Sequence, residues 1–316
     1  EGAGGEVRER GCCFLNETAT SGSDTRSLQE ALPIGLQDLA AQRMGKEAAL
    51  LVPSGTMANL ASILTHCGRG AEVILGNRAH TYKYEKGGIS AYGGIHSTQI
   101  LNQDDGTMRL EDIKAAIRGK DDHFPVTSLI CLENTHNVCG GAPLSVAYTK
   151  EVANLARVHN IKLHIDGARI FNAAVAQGVE VQELVEDADS VSFCMSKGLG
   201  APVGSVICGS KDYIEEARGN RKGLGGGMRQ AGIIAAAGIV ALETMVDRLQ
   251  EDHTNAQLLA EGIADLPDII LDPKSIKTNI IYFDLDNSAM ESADFLTVLA
   301  AKGIQFFDTG PRRFRM

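Results

Sequence analysis

The sequence predicts an α/β protein: a large, mostly parallel sheet covered by helices on both faces, followed by a smaller α+β unit. Three observations carry this. Short apolar runs recur at "EVILG", "STQIL", "SLICLEN", "KLHID", "SVSFCMS" and "GSVICGS", and strands that are apolar nearly throughout are buried on both faces. Helical periodicity lies between several of them, as at 110–118 and 147–159, so β-then-α units repeat. Hydrophobic residues form 44% and charged residues 22% of the 316, a balance that suits a globular chain with a sizeable core.

The elements follow in order. Residues 1–35 are rich in Gly, Glu, Ser and Thr without a period and are expected to be an irregular N-terminal segment. Residues 36–44 read as a helix ending at Gly45, and 48–52 as a short strand. "SGTMANLASILTHCG" then reads as a helix with a hydroxyl cap and a closing glycine. The strand-like runs and their helices carry the first domain, 36–250. A helical pattern spans 228–265 as one long helix that tolerates Gly238. Its segment "AGIIAAAGIVAL" is too short for a bilayer and is expected to be a buried helix. Residues 251–316 form the smaller domain, with "TNIIYFDL" a strand and "FLTVLAAKGIQFF" a helix and strand. "FFDTGPRRFRM" opens a further strand that stops short, so this domain reads as truncated and Arg315 as mobile.

Composition narrows the function. A net charge of −10 and a pI near 5.3 argue against a nucleic-acid partner or an anionic membrane surface, which need clustered Lys and Arg. The seven cysteines show neither Cys-x-x-Cys nor a Cys/His ligand spacing, so no metal site is expected. An odd count without a disulfide pattern fits a reducing, cytoplasmic compartment.

The chemistry starts from a lysine. "DSVSFCMSKGLGAP" ends an apolar strand in Lys197, and lysine rarely lies among buried apolar residues without a task. "KLHIDGAR" delivers Asp166 at the end of another strand, followed by Arg169, and ligands of parallel α/β folds bind outside the carboxyl ends of strands. In "VPSGTMANL" a strand turns through Ser54, Gly55 and Thr56 into a helix whose N-terminus suits a phosphate. An imine-forming lysine, a carboxylate for a pyridinium nitrogen and a phosphate cradle together describe a pyridoxal 5'-phosphate site. A dinucleotide reading fares worse, because "GLGGGM" at 223–228 puts Met where the last glycine of Gly-x-Gly-x-x-Gly belongs.

"KEAALLVPSGTMANL", "KLHIDGARIFNAAVA", "SVSFCMSKGLGAPVGSVICGS" and "LGGGMRQAGIIAAAG" resemble the threonine aldolase family, of the fold type I pyridoxal-phosphate enzymes and the superfamily of β-eliminating lyases. The resemblance implies that Lys197 holds the cofactor, Asp166 pairs with its ring nitrogen, and Ser54, Gly55 and Thr56 cradle its phosphate. It implies that His80 of "RAHTYKYE" lies against the ring with Tyr84 nearby, and that His136 of "LENTHN" approaches the substrate hydroxyl. Arg169 and Arg315 match carboxylate-binding residues. Lys222 and Arg229 match basic residues near the site at a subunit interface.

The implied reaction is retro-aldol cleavage of L-threonine, L-allo-threonine and related β-hydroxy-α-amino acids to glycine and an aldehyde, by a cytoplasmic homotetramer or dimer. Either His80 or His136 can take the hydroxyl proton, since imidazole titrates near neutrality. Two other readings stand beside it. A β-eliminating lyase or alanine racemase would use the same lysine and aspartate, and a truncated family member would bind without turnover.

Overall fold

The computed structural model describes residues 28–316 apart from 120, 288, 289 and 306. Among these, seven strands form one sheet in the order β1-β7-β6-β5-β4-β2-β3. They are β1 (Ala48–Val52), β2 (Ala71–Gly76), β3 (His96–Ile100), β4 (Val126–Glu133), β5 (Lys162–Asp166), β6 (Ser190–Cys194) and β7 (Ser205–Gly209). Pairing is parallel from β3 through β6, while β7 runs antiparallel to both β6 and β1. The six strand-like runs expected from the sequence for this sheet each overlap one of these strands. Only β7's direction had no signal, because direction depends on the connection: a short turn makes a hairpin, whereas a parallel return needs a crossover.

Helix α1 (Leu28–Met44) starts earlier than the sequence suggested, so residues 28–35 are not irregular; the rest of that segment lies outside the described residues. Helix α2 (Gly55–His66) follows β1 and is capped by Ser54, whose Oγ accepts from the Met57 amide. The long helical pattern is two helices, α3 (Gly232–Thr244) and α4 (Leu249–Ala264), broken at 245–248. Helix α3 crosses α1 closely enough that a Cβ on Gly238 would lie 2.6 Å from the Met195 sulfur and 3.0 Å from Leu36. Its other face is open: Ile233 is 76% and Val240 56% exposed. The expectation of a buried helix is therefore corrected, because the described residues cover one face only.

The second sheet is antiparallel, in the order β10-β11-β9-β8, with β8 (Ile269–Ile270), β9 (Tyr282–Leu285), β10 (Phe307–Gly310) and β11 (Arg313–Arg315). Phe314 is fully buried between Phe283 and Phe295, with both ring pairs 5.3 Å apart. Arg315 pairs with Tyr282 in the ladder, and Met316 exchanges two backbone hydrogen bonds with Ile281. The expectation of a mobile Arg315 is thus corrected: aromatic packing and ladder bonds hold it. Thr278 Oγ1 donates to the Gly141 carbonyl at 2.8 Å, tying this unit to the loop after β4.

At the opposite end of the large sheet, buried Ser190 lies between two imidazoles, His66 Nε2 at 2.7 Å and His164 Nδ1 at 2.8 Å. The His66 ring also stacks on Tyr213 at 4.6 Å. Burial lowers His66 to about 4 and His164 to about 3, against about 6.5 unfolded. The unfolded chain therefore binds more protons below pH 6.5, and stability declines as pH falls. At pH 4 the loss is on the order of 3 kcal/mol per histidine. Denaturant titrations at pH 7.5 and 5 are expected to show this, and His66→Gln should flatten the slope.

Candidate active site

The site lies at the carboxyl ends of the parallel strands. Register sets Glu133 of β4 opposite Asp166 of β5, and Asp166 opposite Ser192 of β6. Farther along the same edge, Cys194 of β6 pairs with Ser205 of β7, which pairs with Val52 of β1. The turns after β1, β5 and β6 carry Ser54–Thr56, Arg169 and Lys197, so separate segments meet along one edge.

Asp166 is buried, and its two oxygens are used separately. Oδ1 accepts from the Ala168 amide at 3.1 Å and Oδ2 from Asn59 Nδ2 at 2.8 Å. Asn59, inside α2, gives its other amide proton to Glu85 Oε1 at 2.8 Å and accepts from Ser192 Oγ at 2.9 Å. Glu85 Oε1 lies 2.9 Å from His80 Nδ1. An ionised carboxylate only accepts, so this bond puts a proton on Nδ1 and orients the ring. The Glu85 hydrogen bond raises His80, while burial raises Glu85. His80, Glu85 and Asp166 offer atoms within 4.8 Å of one another, a grouping absent from the sequence reading. Their hydrogen bonds to Asn59 and to each other suit a network that holds protons.

His136 differs from His80. It is 1% exposed, and neither ring nitrogen has a hydrogen-bond partner among the described residues. Burial lowers it to about 4, so the imidazole is neutral at pH 7. Its Nε2 is 4.0 Å from Glu133 Oε2, and burial with the charge of Asp166 raises Glu133 to about 7.

Arg169 stands at the N-terminal cap of the helix Ile170–Gln177. Burial and the charge of Arg315 both work against its ionisation. Arg315 Nε is buried without a hydrogen-bond partner, and neither arginine forms an ion pair with a described residue. Arg169 also senses the charges of Glu133 and Asp166, and a buried guanidinium N–H left without a partner, as at Arg315, suits a carboxylate ligand. Tyr282 senses both, and Tyr84 lies 5.6 Å from His80. A cleft of about 290 Å³ opens beside them, lined by Arg78, Lys83, Tyr84, Asp104, Tyr282 and Arg313 among others.

Lys197 is partly exposed on the β6–β7 turn, its carbonyl accepting from the Gly200 amide. Ser54 and Thr56 are exposed at the start of α2, and Gly55 lies so near Cys194 that a Cβ there would be 2.8 Å from the sulfur. Lys222 and Arg229 are exposed on the helix Lys211–Gly223 and in the loop after it, and neither is hydrogen-bonded to the His80–Asp166 network. The glycine-rich turn beside them does reach α2, since a Cβ on Gly226 would overlap Met57.

The chain also employs Asn59, Glu85, Glu133 and Tyr282, which sequence reasoning passed over. Glu133 carried the signal already used for Asp166, an acid ending an apolar strand. Asn59 and Glu85 carried none, because a polar residue within a helix or short turn usually faces water.

These residues fit pyridoxal phosphate. Residues 55 to 59 rise about 6 Å along α2, so one helix joins an open, glycine-lined N-terminus to the buried Asp166. Both ring nitrogens of His136 and the Nε of Arg315 are buried without a hydrogen-bond partner among the described residues. The fold and site define a fold type I pyridoxal-phosphate enzyme.

The comparisons with known proteins agree. Residues 24–286 match the family model described as beta-eliminating lyase. The chain is 53% identical over 264 residues to low-specificity L-threonine aldolase 1 of Arabidopsis thaliana, covering 83% of this chain and 74% of that one. It is 50% identical over 230 residues to the low specificity L-threonine aldolase of Escherichia coli K12, covering 73% and 68%. Its fold is similar to that of Leishmania major threonine aldolase, with a TM-score of 0.75, 17% identity, and coverage of 96% and 90%. The chain belongs to the beta-eliminating lyase family, within its threonine aldolase branch, and is a pyridoxal-phosphate-dependent lyase. Among the described residues no helix is long and apolar enough to cross a membrane.

Proposed function

We propose that this chain cleaves L-threonine, L-allo-threonine and related β-hydroxy-α-amino acids to glycine and an aldehyde. The observation that carries the reading is that the buried Arg315 Nε and both ring nitrogens of His136 lack a hydrogen-bond partner among the described residues. The printed names of the Arabidopsis and Escherichia coli relatives support it.

Pyridoxal phosphate would be held by Lys197, Asp166, His80 and the Ser54–Gly55–Thr56 turn, and when bound it supplies an electron sink for the charge left at Cα. Asp166, ordered by Asn59 and Ala168, would keep a proton at the ring nitrogen. Arg169 and Arg315 bind the substrate carboxylate and orient Cα, which is catalysis by positioning. His136, neutral and with free ring nitrogens, accepts the β-hydroxyl proton as Cα–Cβ breaks. His80 keeps its orientation through Glu85. Tyr84 borders the path into the site.

Lys222 and Arg229, exposed in the single chain, would complete the site from a neighbouring subunit of a homotetramer or dimer. The open apolar face of α3, with Ile233 and Val240, supports such assembly. We place the enzyme in the cytoplasm, on the absence of a disulfide pattern in its sequence and the free cysteines among the described residues.

The test is the visible spectrum of the protein with pyridoxal phosphate, before and after L-threonine, with glycine and acetaldehyde measured alongside pyruvate, ammonia and D-alanine. Glycine and acetaldehyde in equal amounts are expected. Pyruvate with ammonia would assign β-elimination instead, D-alanine from L-alanine racemisation, and a cofactor band without turnover a binding-only member. Arg315→Leu is expected to raise KM for threonine about 10- to 100-fold, the worth of a charged hydrogen bond. Unchanged KM in steady-state assays would take Arg315 out of the clamp.

A further inference from the structure

We infer that Glu133 is a positioning residue that sets the spacing between the two histidines of the site; the inference rests on the reading of that site given above. Glu133 ends β4 and is 6% exposed. Its Oε2 accepts from the backbone amide of His80 at 2.7 Å, and its Oε1 from the backbone amide of Asn137 at 2.8 Å. These amides belong to different loops, one following β2 and one following β4. The first carries His80 itself, and the second carries His136 one residue earlier.

Each loop has other anchors as well. His80 is held through its side chain to Glu85. The second loop is tied next to Glu133, where Asn134 exchanges hydrogen bonds with both backbone groups of Leu144, and at His136, whose amide donates to the Ala142 carbonyl at 2.8 Å and whose carbonyl accepts from the Gly141 amide at 2.9 Å. Opposite Glu133, the β-carbon of His136 packs against Gly106, where an added Cβ would lie 2.8 Å away. Glu133 joins the His80 backbone directly to the segment carrying His136, beside the longer contact of Arg78 Nη1 with Cys139 Sγ at 3.8 Å between the same two loops.

A buried carboxylate is a costly way to satisfy two amides unless both bonds are needed. No neutral side chain of the same shape makes both. Glutamine has one accepting oxygen, and its NH2 group would confront the other N–H donor. One loop must then shift, and a displacement of about 1 Å in a reacting group costs about 100-fold in rate.

The experiment is a double-mutant cycle in the holoenzyme on E133Q and H136A, with H80A as a third background. E133Q is expected to lower kcat for threonine cleavage about 10- to 100-fold, with KM and the visible absorbance of bound cofactor within about threefold of wild type. In at least one histidine-deficient background the same change should cost less than about threefold, since a group acting through a histidine has nothing left to position. Equal losses in all backgrounds would overturn the proposal in favour of a general structural role, as would wild-type kcat in E133Q while a histidine variant is impaired. Full turnover in both H80A and H136A would overturn the reading of the site and this proposal with it. Should E133Q fail to fold, Glu133→Ala with added formate replaces it. Formate restores an acceptor for both amides, so saturable recovery is expected there and not in H136A, and absence of recovery counts against the proposal.

Discussion

Lys197→Ala is expected to abolish threonine cleavage, by about 10³-fold or more in kcat, while the protein stays folded. Lys197 sits on the β6–β7 turn, partly exposed, and its carbonyl rather than its side chain contributes to the turn. Truncating a side chain outside the packed core changes stability by about 0.5 kcal/mol or less. Activity and stability should therefore separate cleanly. A thermal melt within a few degrees of wild type, loss of the visible cofactor band and no acetaldehyde release are the expected results. Wild-type turnover in this variant would remove Lys197 from the mechanism and with it the starting point of the functional reading.

Asp166→Asn is expected to lower kcat about 10²- to 10³-fold, the scale for losing one preorganised electrostatic contact in a dry site. The variant is nearly isosteric, so no cavity opens. Its amide has one accepting oxygen, whereas Asp166 accepts separately from Ala168 and Asn59. One of those donors would face another donor, and the chain running from Ser192 through Asn59 to Glu85 would loosen. The charge matters as well. Asp166 helps to raise both Glu133 and Glu85, so its neutralisation should let both carboxyls ionise at lower pH. Steady-state kinetics and a pH titration of the visible band test this, and unchanged kcat with an unchanged titration would show that Asp166 does not address the ring nitrogen.

Most of the architecture was legible because its signals are local. β5 and β6 read directly, since apolar runs of strand length leave few alternatives, and the Ser54 cap marks α2 with one hydroxyl. Asp166 and Lys197 were legible for the same reason, each ending or following such a run. What stayed hidden depended on partners. The break between α3 and α4 at 245–248 contains no glycine or proline; it is imposed where the two helices pack on different neighbours. Leu28 begins a helix that runs on through Pro33 and Gly35, both poor helix formers, with α1 packed against α3. Arg315 looked unsupported in a short terminal stretch, yet Phe314 anchors it among aromatics that lie about 20 to 30 positions earlier.

By itself the sequence determined the order of strands and helices, the acidic character, and the residues able to perform the chemistry at the strand ends. Those follow from periodicity, charge and residue type, which each stretch of chain carries alone. Only the tertiary structure decided that Glu133 stands opposite Asp166, that Asn59 reaches both Asp166 and Glu85, and that Arg169 and Arg315, more than a hundred residues apart, feel each other's charge. These are long-range juxtapositions, set by strand register and by which faces pack. Their surroundings then change their chemistry: the Glu85 hydrogen bond makes His80 more basic, and burial leaves His136 neutral. A residue's proton affinity depends on what surrounds it, and those surroundings are assembled only when distant segments meet.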